Sequence, residues 1–529
     1  MEQSHIGHAI LLGRTALGIE FGSTKIKAVL INTDFEPIAA GSHDWKSSCE
    51  NGIWTYSLDY VWHGLQVCYM DLCGNVRKKY GLELKKIGCI GFSAMMHGYL
   101  PFDKNGRLLT PFRTWQNTIT GDASAELSKL FKFNIPQRWS ISHLYQAILN
   151  GEEHVKDIAF LTTLAGYVHW QLTGRKVLGI GDASGMFPID SRTNDYNAGM
   201  MKVFQDKVSS QYSWKLDDIL PHVLVAGEDA GVLTADGAKK LDPSGKLQPG
   251  IPFCPPEGDA GTGMVATDSI AAHTGNVSAG TSVFSMVVLD RPLKNYYPEI
   301  DMVTTPAGLP AAMVHCNNCT GDMNSWVGML SGFAEMMGIC SGPDEIYPKF
   351  YGKALEGEPD CGGLILYNYI TGEPITGVKK GCPMLIRSPS SRFTFANFCR
   401  ASIYASLAAL KIGMDILKRE NVRVERLTGH GGLFRHAGAG AKFLAAAVNA
   451  PVSTMETAAV GGPYGMALLA VYAIEKNMGE SLEDFLSKRV YAGAKTTVTE
   501  PDGDDVKGFQ RFLIHYKAGL DAEKAAAAI

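Results

Sequence analysis

The sequence predicts an α/β fold made of two related domains. Short apolar stretches with strand composition alternate with longer stretches of helical periodicity along the 529 residues. A strand, a turn of one glycine and two hydroxyl residues, and a second strand occur at residues 17–31 and again at residues 276–289. The turn glycines, Gly22 and Gly280, are 258 positions apart (280 − 22). This repetition indicates an internal duplication, with two domains that face each other across a cleft.

The other predicted elements follow the same order in both halves. After the first hairpin we predict a helix at 55–81, a buried strand at 87–92, a mostly helical segment at 121–173, a short strand at 249–254 and a helix at 264–272. After the second hairpin we predict strands at 364–369 and 424–428 and helices at 393–419, 436–449 and 466–474. We place the two domains at residues 1–264 and 265–529.

The composition is that of a globular protein without a polyanionic partner. Hydrophobic residues make up 46% of the chain and charged residues 19%, and 49 basic against 53 acidic residues give a net charge of −4. This balance offers no electrostatic basis for binding nucleic acid or an anionic membrane. The first residues lack a basic segment before an apolar run, and no apolar stretch reaches the ~18 residues of a membrane span. With 11 scattered cysteines, these features predict a cytoplasmic protein.

The first turn has the composition of a phosphate-binding site. Gly22, Ser23 and Thr24 can offer backbone N–H groups and two hydroxyls to a phosphate. Glu20 precedes the glycine by two positions, where a carboxylate could help to place Mg²⁺ beside that phosphate. An ordinary surface hairpin would have a similar sequence, since Gly-Ser turns are common. The second copy, Gly280-Thr281-Ser282, makes the phosphate interpretation more specific.

Asp259 is the main candidate for a catalytic residue. It lies between Gly258 and Ala260-Gly261, after a predicted strand, and is expected to begin a helix. A carboxylate in this position could accept the proton of a substrate hydroxyl that attacks phosphorus. The structural alternative is an aspartate that caps the helix. Its position 22 residues before the second hairpin (281 − 259) favours the catalytic interpretation.

Two further segments could bind ligands. His97 follows the strand at 87–92 and could hydrogen-bond a polyol hydroxyl, with Met96 against the carbon face, or it could be a structural histidine at a strand end. Gly431 and Gly432 offer bare backbone on which an adenine ring could lie, or they could form a plain loop between strand and helix. No complete Walker A motif and no complete G-x-G-x-x-G motif occurs, so a nucleotide site here is of another kind.

These motifs resemble those of the FGGY carbohydrate kinases, within the sugar kinase/Hsp70/actin superfamily, over nearly the whole chain. The matching segments are the first phosphate motif Glu20-Phe-Gly22-Ser23-Thr24, the second phosphate motif Gly280-Thr281-Ser282, the catalytic motif Gly258-Asp259, the adenosine motif Gly431-Gly432, and Met96-His97-Gly98, which is similar to the Met-His-Gly of xylulokinases. The resemblance implies two ribonuclease-H-like (actin-like ATPase) domains, each a mixed sheet flanked by helices, with a cleft between them. It also implies that sugar binds mainly to the first domain and ATP mainly to the second.

Two departures from the family pattern bear on metal and sugar. Glu20 stands where the family has Asp, and Trp115-Gln116-Asn117 stands where xylulokinases have Trp-Asn-Asp. By this resemblance Trp115 joins Met96, His97 and Asp259 as a sugar-binding residue, and Glu20 is the metal residue.

The resulting prediction is an ATP- and Mg²⁺-dependent kinase that phosphorylates a ketopentose, D-xylulose or L-ribulose, at the 5-position. Its partners are a small sugar and ATP, without nucleic acid or membrane, and a homodimer is possible. Kinases for glycerol or gluconate, a non-catalytic sugar or nucleotide sensor, and an actin- or chaperone-like ATPase are the alternatives.

Overall fold

The computed structural model describes residues 2–209, 211–339, 342–436, 438–455 and 461–528. The chain divides into two compact units. The first unit consists of Met1–Ile270, Met302–Ala311 and Val460–Ala494, and the second of Ala271–Asp301, Ala312–Ala459 and Lys495–Ile529. The division predicted from the sequence was contiguous, whereas the first unit also takes two segments from the second half of the chain.

The strands are, in chain order, β1 (Ala16–Phe21), β2 (Lys25–Ile31), β3 (Pro37–Asp44), β4 (Ser48–Glu50), β5 (Ile53–Thr55), β6 (Cys89–Ala94), β7 (Leu100–Phe102), β8 (Phe160–Thr162), β9 (Val177–Gly179), β10 (Ile189–Asp190), β11 (Asp195–Tyr196), β12 (His222–Leu224), β13 (Glu257–Gly258), β14 (Thr274–Ala279), β15 (Val283–Val288), β16 (Asp301–Thr304), β17 (Pro310–Cys316), β18 (Ile365–Tyr367), β19 (Met384–Ile386), β20 (Arg426–His430), β21 (Val452–Met455) and β22 (Thr496–Thr499).

The helices are α1 (Glu2–Leu12), α2 (Leu58–Tyr80), α3 (Gly121–Phe131), α4 (Ser140–Leu149), α5 (Leu164–Thr173), α6 (Ile180–Ala183), α7 (Ala198–Val208), α8 (Leu216–Ile219), α9 (Ala235–Leu241), α10 (Asp259–Ala266), α11 (Gly321–Met336), α12 (Pro343–Leu355), α13 (Phe395–Arg419), α14 (Ala439–Val448), α15 (Gly462–Glu475), α16 (Leu482–Phe485), α17 (Gly503–Ala518) and α18 (Leu520–Ala526).

Each sheet is mixed, and the two sheets share one arrangement. The first has the strand order β13-β6-β1-β2-β3, with β1 antiparallel to β2 and parallel to β6, and β6 parallel to β13. The second has the order β16-β17-β15-β14-β20-β21-β22, with β14 antiparallel to β15 and parallel to β20, and β20 parallel to β21. The five strands β21-β20-β14-β15-β17 thus repeat the order of the first sheet. The predicted duplication and the mixed α/β fold are confirmed.

Parallel strands bring the predicted site residues to one edge of the first sheet. The carboxyl ends of the neighbouring strands β1, β6 and β13 meet there. Glu20 is near the end of β1, while Met96 and Asp259 come just after β6 and β13. This edge is where open α/β sheets bind ligands. Beneath it, β1 is fully buried, and its apolar residues join those of α2 and α5 in one core. The sheet therefore forms a rigid support for the three side chains.

Helix α15 lies directly against β1, and a glycine permits the close approach. A Cβ on Gly18 would be 1.9 Å from the carbonyl oxygen of Pro463 and 2.5 Å from the backbone nitrogen of Ala467. Helix α15 also touches α10, because a Cβ on Gly465 would be 2.0 Å from the carbonyl oxygen of Thr262. The beginning of α15 therefore packs against both the middle of β1 and helix α10.

Near Asp259, the predicted strand at 249–254 was wrong, and the predicted helix at 264–272 was placed too late, whereas the expectation that Asp259 begins a helix is confirmed. Residues 252 and 253 make only isolated bridges, Val232 to Pro252 and Ile90 to Phe253, and the regular strand is β13. Prolines at positions 252, 255 and 256 remove the N–H donors that a continuous ladder needs. The helix predicted at 264–272 is α10, which begins earlier, at Asp259, and ends at Ala266.

Candidate active site

The first turn is fixed by hydrogen bonds to its carbonyl groups. The indole N–H of Trp45 donates to the carbonyl of Gly22 (2.6 Å), and the Tyr56 hydroxyl donates to that of Ser23 (2.7 Å). The backbone N–H of Trp45 donates to the carbonyl of Thr24 (3.1 Å). The N–H of Gly22 donates to the carbonyl of Lys25 (3.1 Å) and closes the turn. With three successive carbonyls also bonded to the protein, the turn can present the N–H groups and hydroxyls of Ser23 and Thr24 to an anion. This geometry fits a phosphate site.

Trp115 contacts the turn as well. Its indole N–H donates to the Ser23 hydroxyl oxygen (3.0 Å), and 38% of the residue remains exposed. The neighbouring Asn117 is buried and has a structural role: its Oδ1 accepts from the backbone N–H of Trp54, and its Nδ2 donates to the carbonyls of Trp54 and Thr114. An aspartate could not donate to those carbonyls, which explains the amide at this departure from the xylulokinase pattern.

Glu20 lies opposite Lys27 in the hairpin register, with 3.7 Å between Glu20 Oε1 and Lys27 Nζ. Burial raises the pKa of Glu20 to about 7, with a further rise from Asp259 and an opposing effect of Lys27. A Cβ on Gly462, the first residue of α15, would be 1.6 Å from Glu20 Oε2. The absence of a side chain at Gly462 thus makes room for the extra methylene of glutamate.

Asp259 is the first residue of α10, and Gly258 is the N-cap, so Asp259 is not the capping residue. Its Oδ1 accepts from the backbone N–H of Met96 (3.4 Å). Burial raises the pKa of Asp259 to about 6, although backbone N–H groups at the helix start and the charge of Lys27 favour the ionised form. A carboxylate with this pKa is ionised at pH 7 and still basic enough to accept a proton.

His97 is held in a strained conformation next to this carboxylate. Its φ of 72° lies in the left-handed region, which few residues other than glycine adopt, and such strain is found at binding sites. Its Nδ1 donates to the carbonyl of Gly185 (3.1 Å), and its ring stacks on Trp139 with 6.2 Å between ring centres. Met96 packs on Gly258, where a Cβ would be 2.4 Å from Met96 Cγ. The predicted sugar loop and the predicted base are therefore neighbours.

Two buried acids beside them were missed by the sequence analysis. Asp182 Oδ2 accepts from the Thr163 hydroxyl (2.7 Å), while Oδ1 is buried and has no hydrogen-bond partner among the described residues. The Glu257 carboxylate accepts from the backbone N–H of Gly181 (3.3 Å) and Asp182 (3.0 Å). Burial raises the pKa of Asp182 to about 7 and that of Glu257 to about 8.

In the second unit, the second turn is fixed in the same way as the first. The carbonyl of Gly280 accepts from both the backbone N–H (3.0 Å) and the hydroxyl (2.7 Å) of Thr320, and that of Thr281 accepts from the N–H of Cys319 (2.9 Å). The N–H of Gly280 donates to the carbonyl of Ser282 (2.9 Å) and closes the turn. The two turns thus share the pattern of one glycine and two hydroxyl residues, a position between antiparallel strands, and carbonyls bonded to the protein. Their registers differ by one residue, because Phe21 pairs with Ile26 in the first hairpin and Ala279 pairs with Val283 in the second.

The predicted adenosine glycines lie next to this second turn. Gly431 follows β20 with φ 96°, and a Cβ there would be 2.4 Å from the carbonyl oxygen of Ala279, the residue before Gly280. Gly432 begins a short 3₁₀ turn, and a Cβ on it would lie 4.0 Å from the same oxygen. The second unit therefore brings Gly280 and Gly431 together at one edge of its sheet, where neither residue has a side chain to cover the backbone.

Sequence comparison decides the family. The sequence model of the FGGY carbohydrate kinase N-terminal domain matches residues 15–265, and that of the C-terminal domain matches residues 275–474. The chain belongs to the FGGY family of carbohydrate kinases. A xylulose kinase from Haemophilus influenzae is 23% identical over 456 residues, which cover 80% of this chain and 83% of the relative.

Solved structures agree with this FGGY kinase in fold. A ligand-bound xylulose kinase from Lactobacillus acidophilus matches with a TM-score of 0.78 and 16% identity, over 97% of this chain and 99% of the other. A gluconate kinase from Lactobacillus acidophilus matches with a TM-score of 0.77, 16% identity and the same coverage. Structural similarity therefore defines the fold of the FGGY kinase and leaves its substrate open.

The described residues of the FGGY kinase contain no group of three or more His, Cys, Asp or Glu side chains placed to hold a metal ion. Mg²⁺ in phosphoryl-transfer sites needs no such cage, because one or two carboxylates, phosphates and water hold it. The Glu20 carboxylate, close enough to Asp259 for the charge of Asp259 to raise the Glu20 pKa, fits this donor chemistry. Separately, no described helix has the length and apolar character needed to cross a bilayer.

Proposed function

We propose that this FGGY kinase transfers the γ-phosphate of ATP to the terminal hydroxyl of a ketopentose, D-xylulose or L-ribulose, and forms the 5-phosphate. The observation that carries the proposal is the half-buried Asp259 carboxylate at the start of α10, bonded to the backbone N–H of Met96, the residue before His97. The similarity to a xylulose kinase from Haemophilus influenzae supports the choice of a ketopentose.

Asp259 acts as the general base in the proposed reaction. It takes the proton of the sugar hydroxyl as that oxygen forms a bond to the γ-phosphorus, while the bond from the γ-phosphorus to the β–γ bridging oxygen breaks and ADP leaves. The raised pKa of about 6 suits this role, since the group is ionised at neutral pH. His97 and Met96 hold the sugar, and the proposal adds Trp115, which is partly exposed and donates its indole N–H to Ser23.

The two turns hold phosphate oxygens through N–H groups and the hydroxyls of Ser23, Thr24, Thr281 and Ser282, and Gly431 and Gly432 hold the adenosine. Glu20 would hold Mg²⁺, directly or through water, and the ion would neutralise charge on the phosphates. Most of the rate then comes from positioning and charge neutralisation rather than from covalent chemistry by the protein. The free thiols of the described cysteines suit a reducing compartment, so the proposal includes the cytoplasm.

The test is sugar-dependent ADP release with a panel of D-xylulose, L-ribulose, D-ribulose, L-xylulose, glycerol and gluconate, each with Mg²⁺-ATP. We expect D-xylulose or L-ribulose to give the highest kcat/KM, and the product to be the 5-phosphate by NMR. A preference for glycerol or gluconate would replace the ketopentose by that substrate. Sugar binding without turnover would indicate a sensor, and turnover that no sugar stimulates would indicate an ATPase.

A further inference from the structure

We propose that Glu257 is a positioning residue that holds the short helix α6 as a spacer between Asp259 and His97. The inference rests on the proposed function, which assigns the proton to Asp259 and a sugar hydroxyl to His97. Glu257 itself is buried and touches neither reactant in this assignment, so its effect is transmitted through the residues that it binds.

Glu257 lies in β13, the strand directly before Asp259, and its hydrogen bonds link this strand to the beginning of α6. Its Oε1 accepts from the N–H of Gly181 (3.3 Å) and its Oε2 from that of Asp182 (3.0 Å). A Cβ on Gly179 would be 2.3 Å from Oε1, and one on Gly181 would be 2.4 Å from Oε2. The carboxyl group therefore fills a space that exists because both positions are glycine.

The other end of α6 supports His97. The N–H of Gly185 donates to the carbonyl of Asp182 (2.9 Å), which closes the turn after the helix. The Gly185 carbonyl accepts from His97 Nδ1 (3.1 Å), and a Cβ on Gly185 would be 2.6 Å from that nitrogen. A displacement of α6 would therefore be passed directly to the imidazole ring.

Helix α6 is also bonded to Thr304. We therefore expect α6 to form without the Glu257 carboxylate, whose effect is to set the distance between α6 and Asp259. The Thr304 hydroxyl donates to the carbonyl of Ile180 (2.9 Å), and the Thr304 N–H donates to the Ser184 hydroxyl (3.1 Å). With those contacts kept, replacement of the Glu257 carboxylate by an amide, which has one acceptor oxygen, leaves one of the two N–H groups without an acceptor. We expect α6 to move relative to Asp259, and His97 to move with it.

The test compares Glu257→Gln with a matched control. Glutamine keeps the volume and one acceptor, but turns an NH₂ group toward a backbone N–H. We expect the KM for the sugar to rise by up to about tenfold, the size of one lost hydrogen bond, with the KM for ATP unchanged. The control is Asp242→Asn, which removes another buried carboxylate that accepts from backbone N–H groups, those of Lys246 and Leu247, outside this site.

Gly181→Ala gives a second route to the same displacement, because its methyl group would push against Glu257 Oε2. If Glu257→Gln does not fold, Gly181→Ala tests the positioning role in its place. Calorimetric binding of D-xylulose and of L-ribulose without ATP adds a readout that does not depend on turnover. A Tm loss like that of Asp242→Asn with unchanged sugar KM and Kd would overturn the positioning role. A wild-type protein that neither binds nor phosphorylates any sugar of the panel would instead overturn the proposed function.

Discussion

At the residue scale, two opposing effects set the pKa of the Asp259 carboxyl group. Burial raises its pKa, while the N–H groups at the start of α10 and the charge of Lys27 favour the ionised form. The result, about 6, leaves the group ionised at pH 7 and basic enough to accept a proton. A helix-capping aspartate would be expected at the N-cap, but Gly258 occupies that position. The geometry therefore favours a chemical role for Asp259.

We expect Asp259→Asn to lower kcat by about 10²- to 10⁴-fold, since the amide cannot accept the hydroxyl proton. The Kd for ATP should stay near the wild-type value. In the wild type, kcat/KM should fall as the pH drops below about 6, because protonation of Asp259 removes the base. Stopped-time ADP assays and calorimetry with ATP measure both effects. Near-wild-type turnover of the Asn variant would remove Asp259 from the mechanism.

His97 should act on the sugar and not on the nucleotide. We expect His97→Ala to raise the sugar KM by about tenfold or more, with an unchanged KM for ATP, because it removes one hydrogen-bonding ring. His97→Asn is the paired variant, because asparagine tolerates the left-handed φ of 72° found there. Steady-state kinetics with each substrate varied in turn would separate the two KM values. An unchanged sugar KM in both variants would exclude His97 from the sugar site.

Site residues next to a glycine turn or a strand end could be predicted from the sequence. Residues that are distant in the sequence and come near the site only in the folded chain could not. Glu20 and Asp259 stand beside turn signals in the sequence. Asp182 lies 77 positions before Asp259 (259 − 182), and only the folded chain brings its segment to Glu257. Lys27 was missed as well, because symmetry about the predicted three-residue turn pairs Glu20 with Ile26, whereas the observed register pairs Glu20 with Lys27.

At the scale of elements, α15 shows how a segment from the second half of the chain becomes part of the first unit. Its backbone lies so close to β1 that only glycine fits at position 18, and its first residue, Gly462, borders the Glu20 carboxylate. The sequence predicted a helix at 466–474 from its apolar periodicity. It could not predict the contact with β1, because periodicity shows that a face is buried without showing against which element.

We expect Gly18→Ala to destabilise the protein by about 1–3 kcal/mol or more, because the methyl group would overlap the backbone of α15. Gly74→Ala is the matched control in α2, where a Cβ meets nothing within 4 Å, and it should be neutral or stabilising by up to about 1 kcal/mol. Differential scanning calorimetry should show a lower Tm for the first variant only. A Tm of Gly18→Ala equal to that of the wild type would contradict the close packing of α15 on β1.

For the whole molecule, the duplicated arrangement of strands was predictable because it repeats a short local pattern. Two Gly-hydroxyl-hydroxyl turns between apolar stretches were enough to predict both hairpins, which the antiparallel registers confirm. The assignment of residues to units was less accessible, since it depends on long-range packing of helices such as α15. The homodimer stays a prediction, and light scattering after size-exclusion chromatography would measure it.

The pH dependence of global stability follows from the buried carboxyl groups. Burial raises the pKa of Asp182 to about 7 and of Glu257 to about 8, against values of about 4 in an unfolded chain. The folded state therefore binds more protons between about pH 4 and 8, so these groups contribute stability at low pH that is lost as the pH rises through this window. Unfolding should become easier from pH 5 to pH 8.5.

We expect Asp182→Asn to reduce the fall in Tm between pH 5 and pH 8.5 by a few degrees, because an amide does not titrate while it can still accept from the Thr163 hydroxyl. The exposed Asp236→Asn serves as the control and should keep the wild-type slope. Calorimetry of the three proteins at both pH values gives the comparison. An Asp182→Asn slope as steep as that of the wild type would show that Asp182 keeps its charge in the folded protein. Its unpartnered Oδ1 would then need a bound cation or donor that the described residues do not supply.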